Sequence, residues 1–411
     1  MSNKKDNLCV LPWNHLFVTN TGDASFPCCS SQYSLGRNEK SDSVLKLSGG
    51  GLLKELSESK KNLREAFLKG EEPKICSGCY EKDREGIWSY RKTSNDLFPK
   101  TYDELKNKSL DLASPMKLEF IDLRLGNLCN LACRMCDAGS SRLLIDDYRE
   151  YLGDENFGKE LEGINWFSDR GFYKNLVENG KDIKIINMAG GEPFLIEESW
   201  EFLEMLIDRG FAKNIELRYN TNLTIIPEKA KKLWPKFKGV VLFLSIDGID
   251  DVYEYIRYPA KWTKIEKNLE YLEDNFEDLN ITAANIQMTV QAYNIANIPE
   301  LTKYLQKFEK ISKVPLINLL ETPNELSFKS LPIDYRKEVA KKLKIFLMDI
   351  FDLKGLQKID TYEDFLRNTT YLVEELLNEA TFQDSQYQEF IRITEFFDNK
   401  RKQKLSDVLN L

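Results

Sequence analysis

The sequence predicts an α/β protein, and three observations carry that reading. Strand-like alternation and helix-like spacing take turns between residues 118 and 320, the signature of βα units around a parallel sheet. All eight cysteines lie at or before Cys136, so the segment ahead of those units has a chemistry of its own. Beyond Glu321 only helical spacing remains. Strands are expected at 118–125, 183–188, 215–219, 239–246, 281–290 and 314–320. Helices are expected at 140–151, 197–209, 228–237, 262–276 and 298–311. Pro227 and Pro299 stand near two of the helix starts, where a missing N–H costs little. Six βα units are too few for an eight-stranded barrel and fit an open partial barrel or a doubly wound sheet. In either form, functional loops gather at the strands' C-terminal ends. The first 113 residues are rich in Ser, Gly and Lys and place cysteines in short loops around a helix at 52–68. Residues 323–411 read as a helical extension, with apolar positions at helical spacing over 339–353 and 365–377.

The 411 residues include 58 Lys+Arg and 66 Asp+Glu, a net charge of −8. That balance argues against nucleic acid as a partner and favours a cationic peptide or a small molecule. The chain is 42% hydrophobic and 30% charged, the mixture of a protein with a buried core. Its longest apolar run, Val240–Leu244, is far too short to span a bilayer, and the opening MSNKKDN carries no apolar signal region. A soluble, cytoplasmic protein without a membrane partner is expected. His15 is the one histidine. HExxH peptidases, three-His zinc sites and two-His-one-carboxylate iron triads are thereby excluded. A Ser–His or Cys–His nucleophile would have to use His15. In its setting, Pro12-Trp13-Asn14-His15, it reads first as a packing residue. The other reading is a donor to a cluster sulfur or a group that titrates near substrate. Trp13, Trp88 and Tyr90 read as core or interface aromatics.

The strongest motif is Cys129-Asn-Leu-Ala-Cys133-Arg-Met-Cys136, a C-x3-C-x2-C loop at the end of the first expected strand of the βα run. In a reducing compartment such clustered thiols serve as soft-metal ligands rather than disulfides. Three thiolates from one loop can hold three irons of a [4Fe–4S] cluster and leave the fourth iron open to a small molecule. A zinc loop that borrows a distant fourth ligand would give the same pattern, as would inert core cysteines.

A loop of this spacing after the first strand of a six-unit βα domain resembles the radical S-adenosylmethionine (radical SAM) superfamily, over roughly residues 116–321. The resemblance implies a partial (β/α)6 TIM-like barrel, with Cys129, Cys133 and Cys136 ligating a [4Fe–4S] cluster. It implies S-adenosylmethionine (SAM) at the open iron, cleaved on one-electron reduction to methionine and a 5′-deoxyadenosyl radical that takes hydrogen from a substrate. Met135 stands where the family usually has an aromatic beside the adenine, a place methionine can also pack. Ala189-Gly190-Gly191-Glu192-Pro193 is similar to the family's GGE segment at the SAM amino group, where a carboxylate accepts from ammonium. Asn220-Thr221-Asn222 resembles the turn that lines the pocket. Ser245-Ile246-Asp247-Gly248 resembles the SxDG segment near the ribose, and Arg257 is the implied partner of the SAM carboxylate.

Cys9, Gly22, the pair Cys28-Cys29 and Cys76-Ser-Gly-Cys79 resemble the auxiliary-cluster module called SPASM or, in its four-cysteine form, twitch. The match covers about residues 9–91. That module usually follows the radical domain and here precedes it; five residues separate Gly22 from Cys28, where four is commoner. The resemblance implies an auxiliary [4Fe–4S] cluster on Cys9, Cys28, Cys76 and Cys79, with Cys29 a spare or a substitute. Structural zinc on the same thiolates is the alternative. The expected organisation is an auxiliary iron–sulfur domain at 1–113, a radical SAM core at 114–322 and the helical extension at 323–411. The expected activity is hydrogen abstraction from a peptide or protein side chain or a small metabolite, fed by a flavodoxin- or ferredoxin-like reductant. The competing class is a non-catalytic iron–sulfur or zinc protein serving electron transfer or scaffolding.

Overall fold

The computed structural model describes residues 7–24, 27–28, 52–86, 89–107, 109–351 and 361–409; Cys29 and Trp88 lie outside them. The fold is α/β, with strands β1 (His15–Val18), β2 (Phe120–Arg124), β3 (Ile185–Ala189), β4 (Glu216–Thr221), β5 (Gly239–Ser245), β6 (Ile281–Val290) and β7 (Leu316–Leu319). They form one sheet in chain order, β1 to β7. Chain order decides between the two α/β forms. Each crossover steps the same way, so right-handed connections keep the helices on one face, as in a barrel, whereas a doubly wound sheet reverses. The six expected strands are β2 to β7. β1 is a seventh, supplied by the cysteine-rich N-terminal segment. All four of its residues are buried, so it lacks the alternation that reveals a strand.

The chain divides into two compact units. The first comprises Met1–Leu128, Gly163–Arg218 and Lys236–Lys238. In it β1 pairs with β2 in parallel, His15 against Phe120, and β2 pairs with β3, Phe120 against Ile185. Glu119, just before β2, fastens this edge: it accepts from Asn14 (3.0 Å) and Thr101 (2.7 Å) and pairs with Lys184 (2.5 Å). A core of Val10, Leu11, Trp13, Phe67, Tyr80, Phe98 and Phe120 fills the N-terminal part, with Tyr90 packed against it. Trp13 and Tyr90 are thus core aromatics. The helix expected at 52–68 is two segments, Leu52–Ser59 and Lys61–Lys69, hinged at Lys60 with ψ near 3°. Helical hydrogen bonding nonetheless runs through the hinge, from the Lys60 N–H to Leu56 and from the Arg64 N–H to Lys60.

The second unit comprises Cys129–Glu162, Tyr219–Pro235 and Gly239–Leu411. β5 and β6 alternate buried and half-buried residues, and both β5–β6 and β6–β7 pair in parallel. Ile333–Phe351 and Tyr362–Leu377 are the two helices expected in the extension. Phe346 and Phe365 meet edge-on, with ring centroids 6.3 Å apart. Arg336 donates to the carbonyls of Glu375 and Asn378, satisfying the end of the second helix with a cation. A third helix, Asp384–Arg401, completes the extension. Among the described residues no helix is long and apolar enough to cross a membrane.

Candidate functional site

In the second unit, the cysteine loop begins where β2 has ended and is held by its own backbone and by the segment after β5. The Ala132 and Arg134 N–H groups donate to the carbonyls of Tyr258 (2.7 Å) and Ile256 (2.9 Å), and the Cys136 N–H donates to Cys133 (3.1 Å). Ser141 Oγ closes the loop on the Leu131 carbonyl at 2.6 Å, and Tyr148 Oη donates to the Cys136 carbonyl at 3.2 Å. Three polar groups address the sulfurs. Asn222 Nδ2 lies 3.8 Å from Cys129 Sγ and donates to Asn130 Oδ1 at 2.9 Å. The Leu131 N–H points at the same sulfur, 3.4 Å away. Arg257 Nη1 lies 3.9 Å from Cys133 Sγ.

Asp247 positions that arginine. Its Oδ1 accepts the Thr289 N–H at 2.7 Å, and its Oδ2 lies 2.7 Å from Arg257 Nε. The latter contact is an ion pair without hydrogen-bond alignment, so both atoms keep unused capacity in a buried place. Burial raises the Asp247 carboxyl and Arg257 opposes it. Burial also works against the Arg257 charge, but Asp247 and Cys133 hold it above its ordinary value. The Cys133 thiol is held below its ordinary value, first by a hydrogen bond from Cys136 and then, against burial, by Arg257. Ser245, half-buried, ends β5 opposite Gln287.

In the first unit, Gly190 has φ +119°, and a Cβ there would stand 2.6 Å from the Leu125 nitrogen. At Gly191 a Cβ would stand 2.3 Å from the Leu128 carbonyl oxygen. The glycines are required because this turn is stacked on the chain that leaves β2. The Gly191 and Glu192 N–H groups donate to Gly126 (2.9 Å) and Leu128 (2.8 Å). Glu192 is buried and its Oε1 caps the Phe194 N–H at 3.1 Å, and Pro193 starts the short 3-10 turn.

The N-terminal cysteines are also in the first unit. Cys9 and Cys28 share the core with Trp13 and Tyr80, and Cys76 packs against it. Burial pushes the Cys9 thiol up to about 12, reinforced by Cys76 and Cys79 and opposed by a backbone hydrogen bond at Leu11. Burial likewise pushes Cys76 up to about 12, with Cys28 and Cys79 adding to it. Cys9, Cys28, Cys76 and Cys79 are therefore electrostatic neighbours. Gly22 makes the expected tight turn, with φ +87° and a Cβ position 2.8 Å from Trp166. His15 is a packing residue: it is fully buried, its ring lies 4.4 Å from that of Phe120, and Nδ1 donates to the Pro27 carbonyl at 3.0 Å.

Several residues that bear on these sites carry no signal in the sequence, because lysine and arginine ordinarily face water. Lys60 is 1% exposed and bonds to the His15 carbonyl. Arg134, inside the cysteine motif, is fully buried and stacks 3.7 Å over Tyr255. It pairs with Asp398 at 2.6 Å and bonds Gln403 at 3.1 Å, both from the C-terminal segment. Arg401 is buried against Phe397 and Tyr258 and pairs loosely with Asp147, at 3.6 Å.

The donor chemistry of the loop fits a [4Fe–4S] cluster with one open iron: three sulfurs from one turn, with buried N–H donors and a guanidinium facing two of them. Among the described residues, no three His, Cys, Asp or Glu side chains converge at single-ion spacing. The thiolates of a four-iron cube stand further apart than the ligands of one ion.

No curated protein matches the chain in sequence. Among solved structures, polyhistidine-tagged anSMEcpe with bound AdoMet is similar at 20% identity, covering 61% of this chain and 60% of that one, with a TM-score of 0.40. Streptococcus suis SuiB bound to S-adenosylmethionine is similar at 12% identity, covering 72% and 59%, with a TM-score of 0.34. The chain thus spans about three fifths of the length of these proteins. Residues 123–303, which run from the end of β2 into the helix after β6, match the model of the Radical SAM superfamily.

Proposed function

We propose that this protein is a radical SAM enzyme that abstracts hydrogen from a peptide or protein side chain or from a small metabolite. The observation that carries the reading is the cysteine loop, with Asn222 directed at Cys129 and the buried Asp247–Arg257 pair directed at Cys133. Cys129, Cys133 and Cys136 would hold a [4Fe–4S] cluster, which when reduced supplies the electron that splits bound SAM into methionine and a 5′-deoxyadenosyl radical. The residues around it bind and orient. Arg257, kept cationic by Asp247, offers its unused donor capacity to the SAM carboxylate. The Gly190–Pro193 turn with Glu192 serves the amino group, and Asn222 and Ser245 line the nucleoside pocket. Each role is carried over from the family motif at that position.

The N-terminal thiols are read as an auxiliary iron–sulfur centre on Cys9, Cys28, Cys76 and Cys79, in a domain spanning residues 1–113 ahead of a core at 114–322. A flavodoxin- or ferredoxin-like protein would supply electrons. The acidic net charge supports a cationic peptide or small-molecule substrate over nucleic acid. The test is anaerobic incubation of the reconstituted, reduced protein with SAM. It should form 5′-deoxyadenosine and methionine, and Cys133→Ala should abolish both products while metal at the N-terminal site remains. Cleavage that survives this substitution would refute the role given to the loop.

A further inference from the structure

A lysine side chain that is 1% exposed ordinarily has an acid beside it, because an isolated ammonium in an apolar interior costs several kcal/mol. Among the described residues Lys60 has no such partner. Its Nζ bonds to the His15 carbonyl, and among the described residues no carboxylate pairs with it. One turn on, Arg64 repeats the anomaly. It too is 1% exposed; Nε donates to the Pro12 carbonyl (3.0 Å) and Nη1 to Ser57 Oγ (2.8 Å), Nη2 donates to nothing among the described residues, and no acid pairs with it. Two uncompensated cations on one helical face of a small core would be destabilising if nothing answered them. The groups whose negative charge would favour the Lys60 ammonium are Cys28 and Cys9. Arg91, paired with Asp83 at 2.5 Å, is a further cation that acts on Cys9 and Cys76.

We propose that Lys60, seconded by Arg64, is the built-in counter-charge of an anionic metal–thiolate centre at Cys9, Cys28, Cys76 and Cys79. This rests on the auxiliary-centre reading above and goes beyond it, assigning Lys60 as a positioning residue that sets the charge and reduction potential of that centre. Lys60 and Arg64 continue the buried stripe of Leu52, Leu56 and Phe67, so helical spacing itself carries both side chains into the core. Four thiolates outweigh the net positive charge of either a zinc ion or a [4Fe–4S] core, so the loaded centre stays anionic and is answered only when Lys60 is present beside it.

The experiment uses the full-length chain with Cys129, Cys133 and Cys136 all changed to Ala, so that retained metal reports the N-terminal site alone. Into this parent go Lys60→Met, which keeps the bulk, and Lys60→Arg, which keeps the charge. Iron, zinc and sulfide per chain, the midpoint potential of any cluster, and thermal unfolding with and without metal are measured. Lys60→Met should weaken metal retention about 10-fold or more and shift the midpoint of residual cluster to lower potential, and Lys60→Arg should restore both. In the metal-free chain Lys60→Met should leave the unfolding midpoint unchanged or raise it, because it removes an unanswered buried charge. Equal destabilisation with and without metal, at unchanged metal retention and potential, would make Lys60 a structural residue only and overturn the proposal. A parent that retains no metal would overturn the auxiliary-centre reading together with the proposal.

Discussion

His15 shows how one buried side chain makes stability depend on pH. Nδ1 donates to Pro27, so the neutral tautomer leaves Nε2 bare, and Nε2 has no partner among the described residues. Burial, and then the Lys60 charge, push its pKa down from 6.5 to about 3. Between those values the unfolded chain binds a proton that the folded chain refuses, so stability falls as pH drops below 6.5. The slope approaches about 1.4 kcal/mol per pH unit. Urea unfolding of the native protein and of His15→Gln at pH 7.5 and pH 5.5 should show this loss in the native protein and its absence from the variant. A difference between the two that stays constant with pH would contradict the assignment. At this scale the sequence singled out the thiols, the glycines and Asp247 through motifs with fixed spacing, and Arg257 beside them, but not the pairing of Asp247 with Arg257. It was silent on Lys60, Arg134 and Arg401, whose burial depends on where distant segments pack.

At the scale of elements, the cysteine loop depends on the helix Asp384–Arg401. Arg134 sits between two of the thiols, and Tyr255 Oη and Arg134 Nη2 share the same Asp398 oxygen, at 2.7 and 2.6 Å. Lys400 adds an ion pair to Asp147, at 3.0 Å. Removing Asp398 leaves a guanidinium buried and unanswered, which costs about 3 kcal/mol. Asp398→Ala should therefore lower the unfolding midpoint and also reduce iron retained by the loop; Asp398→Asn, still an acceptor, should recover most of the iron. Full iron retention in Asp398→Ala would show that the helix does not brace the loop. Strands from β2 onward were legible because apolar alternation bounded by turns is a local signal. The helix 384–401 was not, since its apolar positions are diluted among charged and polar residues. β1 escaped notice because four buried residues display no period.

For the whole molecule, the two cysteine sets predict a stoichiometry. Anaerobically reconstituted protein should hold about eight irons and as many sulfides per chain, as expected for two [4Fe–4S] clusters. Four irons with one zinc would leave the proposed radical function standing and make the N-terminal centre structural; zinc without iron would remove the enzymatic reading altogether. The parallel pairing of β1 with β2 has a consequence for biogenesis. Asn14 and Glu119, bonded across that edge, are 105 residues apart. Closing so long a loop is slow compared with forming a local βα unit. On the ribosome Cys9, Cys28, Cys76 and Cys79 all emerge before the strand that completes their core exists. During that interval the nascent thiols stand open to oxidants and stray metal ions, so β2 synthesis fixes the earliest moment at which the N-terminal site can be sealed.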